Sequence, residues 1–372
     1  MDGTINSRQA QILKLLKERG NLSRLDLTQL IVSNDTLQRR MTYQRSIHPR
    51  NKLRGVLESC YRGDSRMTIL RDLNELVESG YVIVQGKGRT TSYGLVSKNP
   101  LLEYVDLNDY FKQRRETKIG FNNDVYGNLS NLYSKEEVEL WENGAVKLKE
   151  AKEKLDPSIY KRELERFVIE LSWKSSQIEG NTYSIIETET LIKQNIRAQG
   201  HPEEEAIMIL NHKDAFDSIL ENKNDFKKLD FSDVIQLHNV LTKGLVASGI
   251  RAQKVMITGT NYEPMSDKHE LESTLRKLIE YVNLVKYPPE KALMLALMVA
   301  YIQPFADGNK RTARMLSNAV LMAYDYPPLS YRNVDVNEYR SAIIVFYEIN
   351  NLFNFKRIFV NQLEFAVNNY FQ

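Results

Sequence analysis

From Ser134 to Gln372, apolar residues recur at three- and four-residue spacing almost without a break, and this constrains the fold more than any other feature. The spacing predicts helices over 135–154, 157–177, 188–198, 202–222, 231–246, 266–285 and 289–302, with further helices starting near Thr312, Asn337 and Asn354. The run 292–305 is apolar and nearly uncharged, too short to span a bilayer, and therefore a buried helix. One segment breaks the pattern. In RAQKVMITGTNYEP, Val255 and Ile257 precede a Gly259-Thr260-Asn261 turn, which predicts a short hairpin among helices. The expected class is mainly α, with one small β-hairpin in the helical part.

The first hundred residues follow another order. Ile12, Leu15 and Leu16 mark a helix stopped by Gly20, and Leu25, Leu27 and Leu30 mark a second starting at Ser23. Residues 33–62 form an irregular basic insertion. A capped helix follows in DSRMTILRDLNELVESG, and YVIVQGKGRTTSYGLV predicts two strands joined at Gly86-Lys87-Gly88-Arg89. Helix, helix, helix and basic-tipped hairpin resemble a winged helix-turn-helix over 1–98. Arg66, Thr68 and Arg71 near the start of the third helix suit a major groove, and Lys87 and Arg89 suit phosphates. Charge agrees, because residues 1–100 carry 17 Lys+Arg against 9 Asp+Glu while the whole chain is only +3. DNA is the partner expected for this part, and a homodimer fits paired half-sites. Asn99-Pro100 marks a boundary, and residues 99–135 are expected as a linker or support segment. A single cysteine, Cys60, and the absence of a signal-like amino terminus lead to the expectation of a soluble, cytoplasmic protein with no membrane partner.

The chemistry-bearing segment is QPFADGNKRTAR, residues 303–314. Gly308 permits positive φ and close approach of a ligand. A helix starting near Asn309 would direct its free N–H groups at an anion. Asp307 is a hard oxygen ligand suited to Mg²⁺. Lys310, Arg311 and Arg314 add the charge a polyphosphate needs. No zinc-spaced Cys/His cluster, Walker A loop or GxGxxG motif competes with this reading.

The segment resembles the signature of the Fic family, HPF-x-[DE]-G-N-[GK]-R-x-x-R. Two more segments are similar to Fic motifs. SGIRAQKVMITGTNYEP matches the flap (249–264), a hairpin that docks a target's backbone by strand addition, with Val255, Ile257, Gly259, Thr260 and Tyr262 facing the target. SSQIEGNTYS matches the inhibitory motif [ST]-x-x-x-E-[GN], through Ser175, Glu179 and Gly180, followed by Asn181. The resemblance implies an all-helical Fic-like domain over 136–372 that uses Mg-ATP to transfer AMP to a Ser, Thr or Tyr hydroxyl of a target protein, or of the chain itself. Asp307 would hold Mg²⁺, and Gly308 and Asn309 would line the hole for the α- and β-phosphates. Lys310 and Arg311 would contact phosphates, and Arg314 would bind the γ-phosphate. Glu179 would pair with Arg314 and hold the protein inhibited.

Two positions depart from the pattern. Gln303 stands where the family has its catalytic histidine, and an amide cannot take a proton at neutral pH. Lys310 replaces the commoner glycine, and in the related Doc toxins such a lysine accompanies phosphate transfer. The sequence therefore leaves three readings: a weakened adenylyltransferase, a catalytically impaired nucleotide-sensing DNA-binding regulator, or a Doc-like phosphotransferase. His238 reads as a packed structural histidine, and Tyr183 or Tyr262 as candidate acceptors in cis.

Overall fold

The computed structural model describes residues 5–31, 66–95 and 99–370, which divide between two compact units, Met1–Asp106 and Leu107–Gln372. The basic insertion 33–62 and the Asp64/Ser65 cap lie outside the described residues.

In the first unit, α1 (Ser7–Arg19) starts on a reciprocal cap between Asn6 and Gln9. Strand β1 (Leu22–Ser23) leads into α2 (24–31), and α3 (Arg66–Glu78) is followed by β2 (Val82–Gln85) and β3 (Ser92–Leu95). The sheet is antiparallel in the order β1-β3-β2. Ile12, Leu16, Leu27, Ile69, Leu73 and Val82 meet in its core, so the apolar stripes of all three helices face one centre. The amino end of α1 is tied to α3, because Arg8 and Asn6 both donate to the buried Asp72.

In the second unit, residues 107–135 are an integral part of the fold and not a loose linker. They contain α4 (Leu107–Lys112), β4 (Lys118–Ile119) and a short 3₁₀ turn, and they bury Val125, Leu129 and Leu132. Helices α5 (Lys135–Lys154), α6 (Pro157–Ile178), α7 (Ile185–Gln194), α8 (Glu203–Glu221) and α9 (Phe231–Thr242) follow. Capping explains their starts. Ser134 with Glu137 and Ser184 with Glu187 form capping boxes, and Asp156 caps a helix with Pro157 at its first position. The Ser184 box moves the start of α7 three residues ahead of the expected Thr188.

Strand β5 (Tyr262–Glu263) precedes α10 (Lys268–Leu284), α11 (Pro288–Ile302), α12 (Asn309–Ala323), α13 (Val336–Ile349) and α14 (Phe353–Asn369). The uncharged run forms α11, buried on every side, and α12 packs along it. The mainly helical fold expected from the periodicity is present. The expected hairpin is not. The only strand between 249 and 264 is β5, and it pairs in parallel with β4 from far away in sequence. The turn residues are engaged elsewhere, as described below. Among the described residues no helix is long and apolar enough to cross a membrane.

Candidate functional site

The loop between α11 and α12 is held by its own side chains. Helix α11 ends at Gln303, whose φ of 54° is left-handed, and Pro304 prevents the helix from continuing. Asn309 then closes the loop. Its Oδ1 accepts from the Phe305 N–H at 2.9 Å, and its Nδ2 donates to the Phe305 carbonyl at 2.9 Å and to Gln303 Oε1 at 3.0 Å. Gln303 Nε2 donates to the Ala300 carbonyl. Both ends of the Gln303 amide are thus engaged, one in the loop and one on the last turn of α11.

Gly308 has φ of 78°, and a Cβ there would lie 2.7 Å from Thr242 Cγ2. Only glycine lets the loop sit this close to α9. Beneath it, the His238 ring stacks on Phe305 at 3.6 Å and donates from Nε2 to the Asp307 carbonyl at 3.0 Å. Burial pushes its pKa down, so it acts as a neutral donor that supports the loop. His238 was expected to be a packing residue; it packs, but directly under the loop.

Asp307 sits at the mouth with its side chain 63% exposed, and its Oδ2 pairs with Arg311 at 2.8 Å. Arg311 and Arg314 are themselves buried. A single exposed carboxylate beside a helix start suits Mg²⁺, which takes most of its ligands from phosphates and water. Among the described residues no three His, Cys, Asp or Glu side chains converge into an all-protein metal cage.

Glu179 closes the site from the carboxy end of α6. One carboxylate oxygen contacts Arg314 at 2.8 Å and the other contacts Lys310 Nζ at 2.7 Å. Burial alone would raise this carboxyl, but the two cations outweigh it and hold its pKa at about 2. Arg314 moves the other way, above its ordinary value. Its Nε donates to Ser175 Oγ at 3.0 Å and one terminal nitrogen also donates to the Ser175 carbonyl at 2.9 Å. Ser175 Oγ also lies 2.8 Å from His212 Nε2, and His212 Nδ1 lies 2.8 Å from the Met208 carbonyl. Since a carbonyl only accepts, His212 carries its proton on Nδ1 and accepts from Ser175 through Nε2. Burial, reinforced by Arg311 and Arg314, lowers its pKa to about 3. Asn181 ties the turn after Glu179 to the Glu205 carbonyl at 2.9 Å, and Gly180 takes a φ of 104° that favours glycine.

The structure therefore gathers Ser175, Glu179, Lys310 and Arg314 into one cluster, with Gln303, Asp307, Gly308, Asn309 and Arg311 in the adjoining loop. Sequence reasoning missed the Lys310–Glu179 contact, because the pair lies far apart in the chain and on separate helices. It also missed Arg251, at the base of the flap. Arg251 is buried and donates to the carbonyls of Gln303 and Gln253 at 2.7 and 2.6 Å, and to that of Met265. In segment 249–264, Val255 and Ile257 are half-buried, and Thr260 donates to Glu348. Tyr183 and Tyr262 are both buried, and Tyr262 donates its hydroxyl to the Tyr301 carbonyl, so neither is presented as an acceptor in cis.

In the first unit, Arg71 and Lys87 are exposed and Thr68 is half-buried on α3, with Arg71 3.8 Å from Glu75. Arg66 opens α3, and Arg89 lies in the turn between β2 and β3.

Residues 228–321, which include the whole loop, match the model of the Fic/DOC family. Over those residues the chain is similar to a Fic domain. The protein adenylyltransferase Fic of Culex quinquefasciatus is 28% identical over 184 residues, which is 47% of this chain and 36% of that protein. That of Nematostella vectensis is 27% identical over 187 residues, 48% of this chain and 43% of that one. The chain thus spans well under half the length of these relatives. In fold, the Fic domain and its surroundings are similar to Fic-1 from C. elegans, with a TM-score of 0.53 at 20% identity, covering 65% of this chain and 73% of that one. A Fic domain-containing signaling protein from Bacteroides thetaiotaomicron gives 0.51 at 21% identity, covering 62% of this chain and 97% of that one.

Proposed function

We propose that this chain binds Mg-ATP over loop 303–314 and transfers AMP to a Ser, Thr or Tyr hydroxyl of a protein, under restraint by Glu179. The observation that carries the reading is the Glu179 carboxylate bridging Lys310 and Arg314. Those two cations are what a γ-phosphate at the end of the loop would need, and the carboxylate occupies and repels that position. Removal of the carboxylate would leave two adjacent cations at the start of α12, the kind of site a terminal phosphate needs. The similarity of nearly half of this chain to relatives named protein adenylyltransferase supports the reading.

The backbone N–H groups that open α12, at Asn309 and Lys310, would face the α- and β-phosphates, since helix geometry leaves them without intrahelical partners. The Asn309 side chain would act indirectly, by fixing the loop. Arg311 would steady Asp307, whose carboxylate would hold Mg²⁺; that ion supplies charge neutralisation of the departing pyrophosphate. In the transfer, the target's hydroxyl oxygen bonds to the α-phosphorus, the bond to pyrophosphate breaks, and the hydroxyl proton must go to a base. Gln303 cannot accept it. A base of this kind is worth about 10²–10⁴-fold in rate.

The engaged amide of Gln303 favours a second reading, a nucleotide-sensing regulator with impaired catalysis. In that reading the first unit would bind DNA through Arg66, Thr68, Arg71, Lys87 and Arg89, a winged-helix use of α3 and the β2–β3 turn.

Intact mass after incubation with Mg-ATP tests both readings, using Glu179→Gly protein with Gln303 in place and with Gln303→His. Added AMP in the first protein establishes a transferase that needs no histidine. AMP only in the second supports the impaired regulator. Added phosphate in either would replace AMP transfer with a Doc-like phosphotransferase. If neither protein binds ATP, the site reading is wrong.

A further inference from the structure

The flap carries an occupant already. Strand β5 is the flap's only strand, and Lys118 donates its N–H to the Asn261 carbonyl at 2.9 Å while Gly120 donates to the Glu263 carbonyl at 2.9 Å. The pairing is parallel and two residues long, and on the β4 side both residues are exposed; Ile119 is 81% exposed. Nothing in the apolar core depends on β4.

What holds the segment is polar and comes from α13. Glu348 is buried, and its Oε1 accepts from Arg115 at 2.8 Å, from Thr260 Oγ1 at 2.8 Å and from the Asn261 N–H at 2.7 Å. Its Oε2 accepts from the Tyr110 hydroxyl at 2.7 Å. One carboxylate therefore orders the flap turn and anchors the incoming segment by an arginine three residues before its first paired residue. The Arg115 guanidinium also donates to the Gly259 carbonyl at 3.3 Å, and Asn261 Nδ2 donates to the Arg115 carbonyl at 2.8 Å. Apart from the Thr260 and Tyr110 hydroxyls on Glu348, these contacts use backbone groups or a single Arg–carboxylate pair, and none uses a side chain of Glu116–Gly120. Such a site selects an extended backbone with a leading arginine, whichever chain supplies it.

We propose that Glu116–Gly120 is an exchangeable cis occupant of the flap edge. The partner that fits the edge is an extended protein segment with a basic residue three positions before its paired strand, reaching Glu348. Docking then proceeds by exchange of one strand for another. The proposal rests on the reading of 249–264 as the flap.

Two proline variants test it. Lys118→Pro removes the N–H that donates to Asn261, whereas Ile119→Pro leaves both donors, Lys118 and Gly120, in place. Hydrogen exchange of residues 259–264 is followed by mass spectrometry, with and without the synthetic peptide RRETKIGFN (residues 114–122) at millimolar concentration. The expected result is about tenfold faster exchange in Lys118→Pro, slowed again by the peptide, with Ile119→Pro unchanged. Exchange in Lys118→Pro as slow as in the unaltered protein overturns the proposal. Fast exchange that the peptide does not slow overturns it equally, because the edge then takes no strand in trans. The flap reading fails separately: the exchange results come out as expected, yet Lys118→Pro leaves AMP transfer to other proteins by Glu179→Gly, Gln303→His protein unchanged.

Discussion

Glu179 holds two cations with one carboxylate, and its replacement should release both. Glu179→Gly is expected to tighten ATP binding, and Arg314→Ala to weaken it. A lost hydrogen bond to a charged group costs about 1.5–3 kcal/mol, or about 10–100-fold in Kd, measurable by calorimetry. Lys310→Ala made in the Glu179→Gly protein separates the two cations: a further loss of affinity assigns Lys310 to the nucleotide as well as to the restraint. The pH dependence has a definite sign. The folded carboxyl sits at about 2 against an ordinary 4.5, so the stability it contributes is fully present above pH 4.5 and is lost as pH falls towards 2. The proposed restraint by Glu179 should therefore be flat across the neutral range, and a nucleotide affinity that climbs between pH 8 and 6 would contradict the ion-pair account.

At the scale of elements, α6, α8 and α12 meet through a chain of hydrogen bonds running from the Met208 carbonyl through His212 and Ser175 to Arg314. His212 is kept neutral, with a folded pKa of about 3 against 6.5. Its contribution is present above pH 6.5 and is lost as pH falls through about 3, since the unfolded chain binds the proton first. His212→Gln should flatten the fall in stability over that window, read as melting temperature against pH. Glu348 ties α13 to the flap in the same way. Glu348→Ala would leave Arg115 and the Asn261 N–H without their acceptor, and a broken buried ion pair costs about 3–5 kcal/mol. Thermal unfolding of the full chain should show that loss in the transition of the second unit.

For the whole molecule, the chain divides into two compact units, so the proposed DNA and nucleotide roles can be tested separately. Removing residues 1–106 should abolish any DNA binding and leave ATP binding at its original affinity. Electrophoretic mobility shift and calorimetry check the two halves of that statement. DNA affinity that survives the deletion would place the polyanion surface on the second unit, despite its excess of acidic residues.

Local features were legible in the amino-acid order: the helices of the second unit, the buried α11, and a glycine-containing loop followed by three cations. These are legible because helix periodicity, capping and φ preference act within a few residues. Helix ends were less legible, as at α9, which stops at Thr242 and not Val246. Beyond the Glu179–Arg314 pair, which the family resemblance implied, the meeting of distant charges became visible only in the fold. Lys310 and Glu179 are 131 residues apart, and Glu348 and Arg115 are 233 apart. Segment 249–264 shows the same limit: its turn residues fit a hairpin, but Glu348, Arg115 and the edge of β4 satisfy their polar groups instead. Long-range partners of this kind leave no periodic signal, since any buried donor accepts whichever acceptor the packing brings within reach.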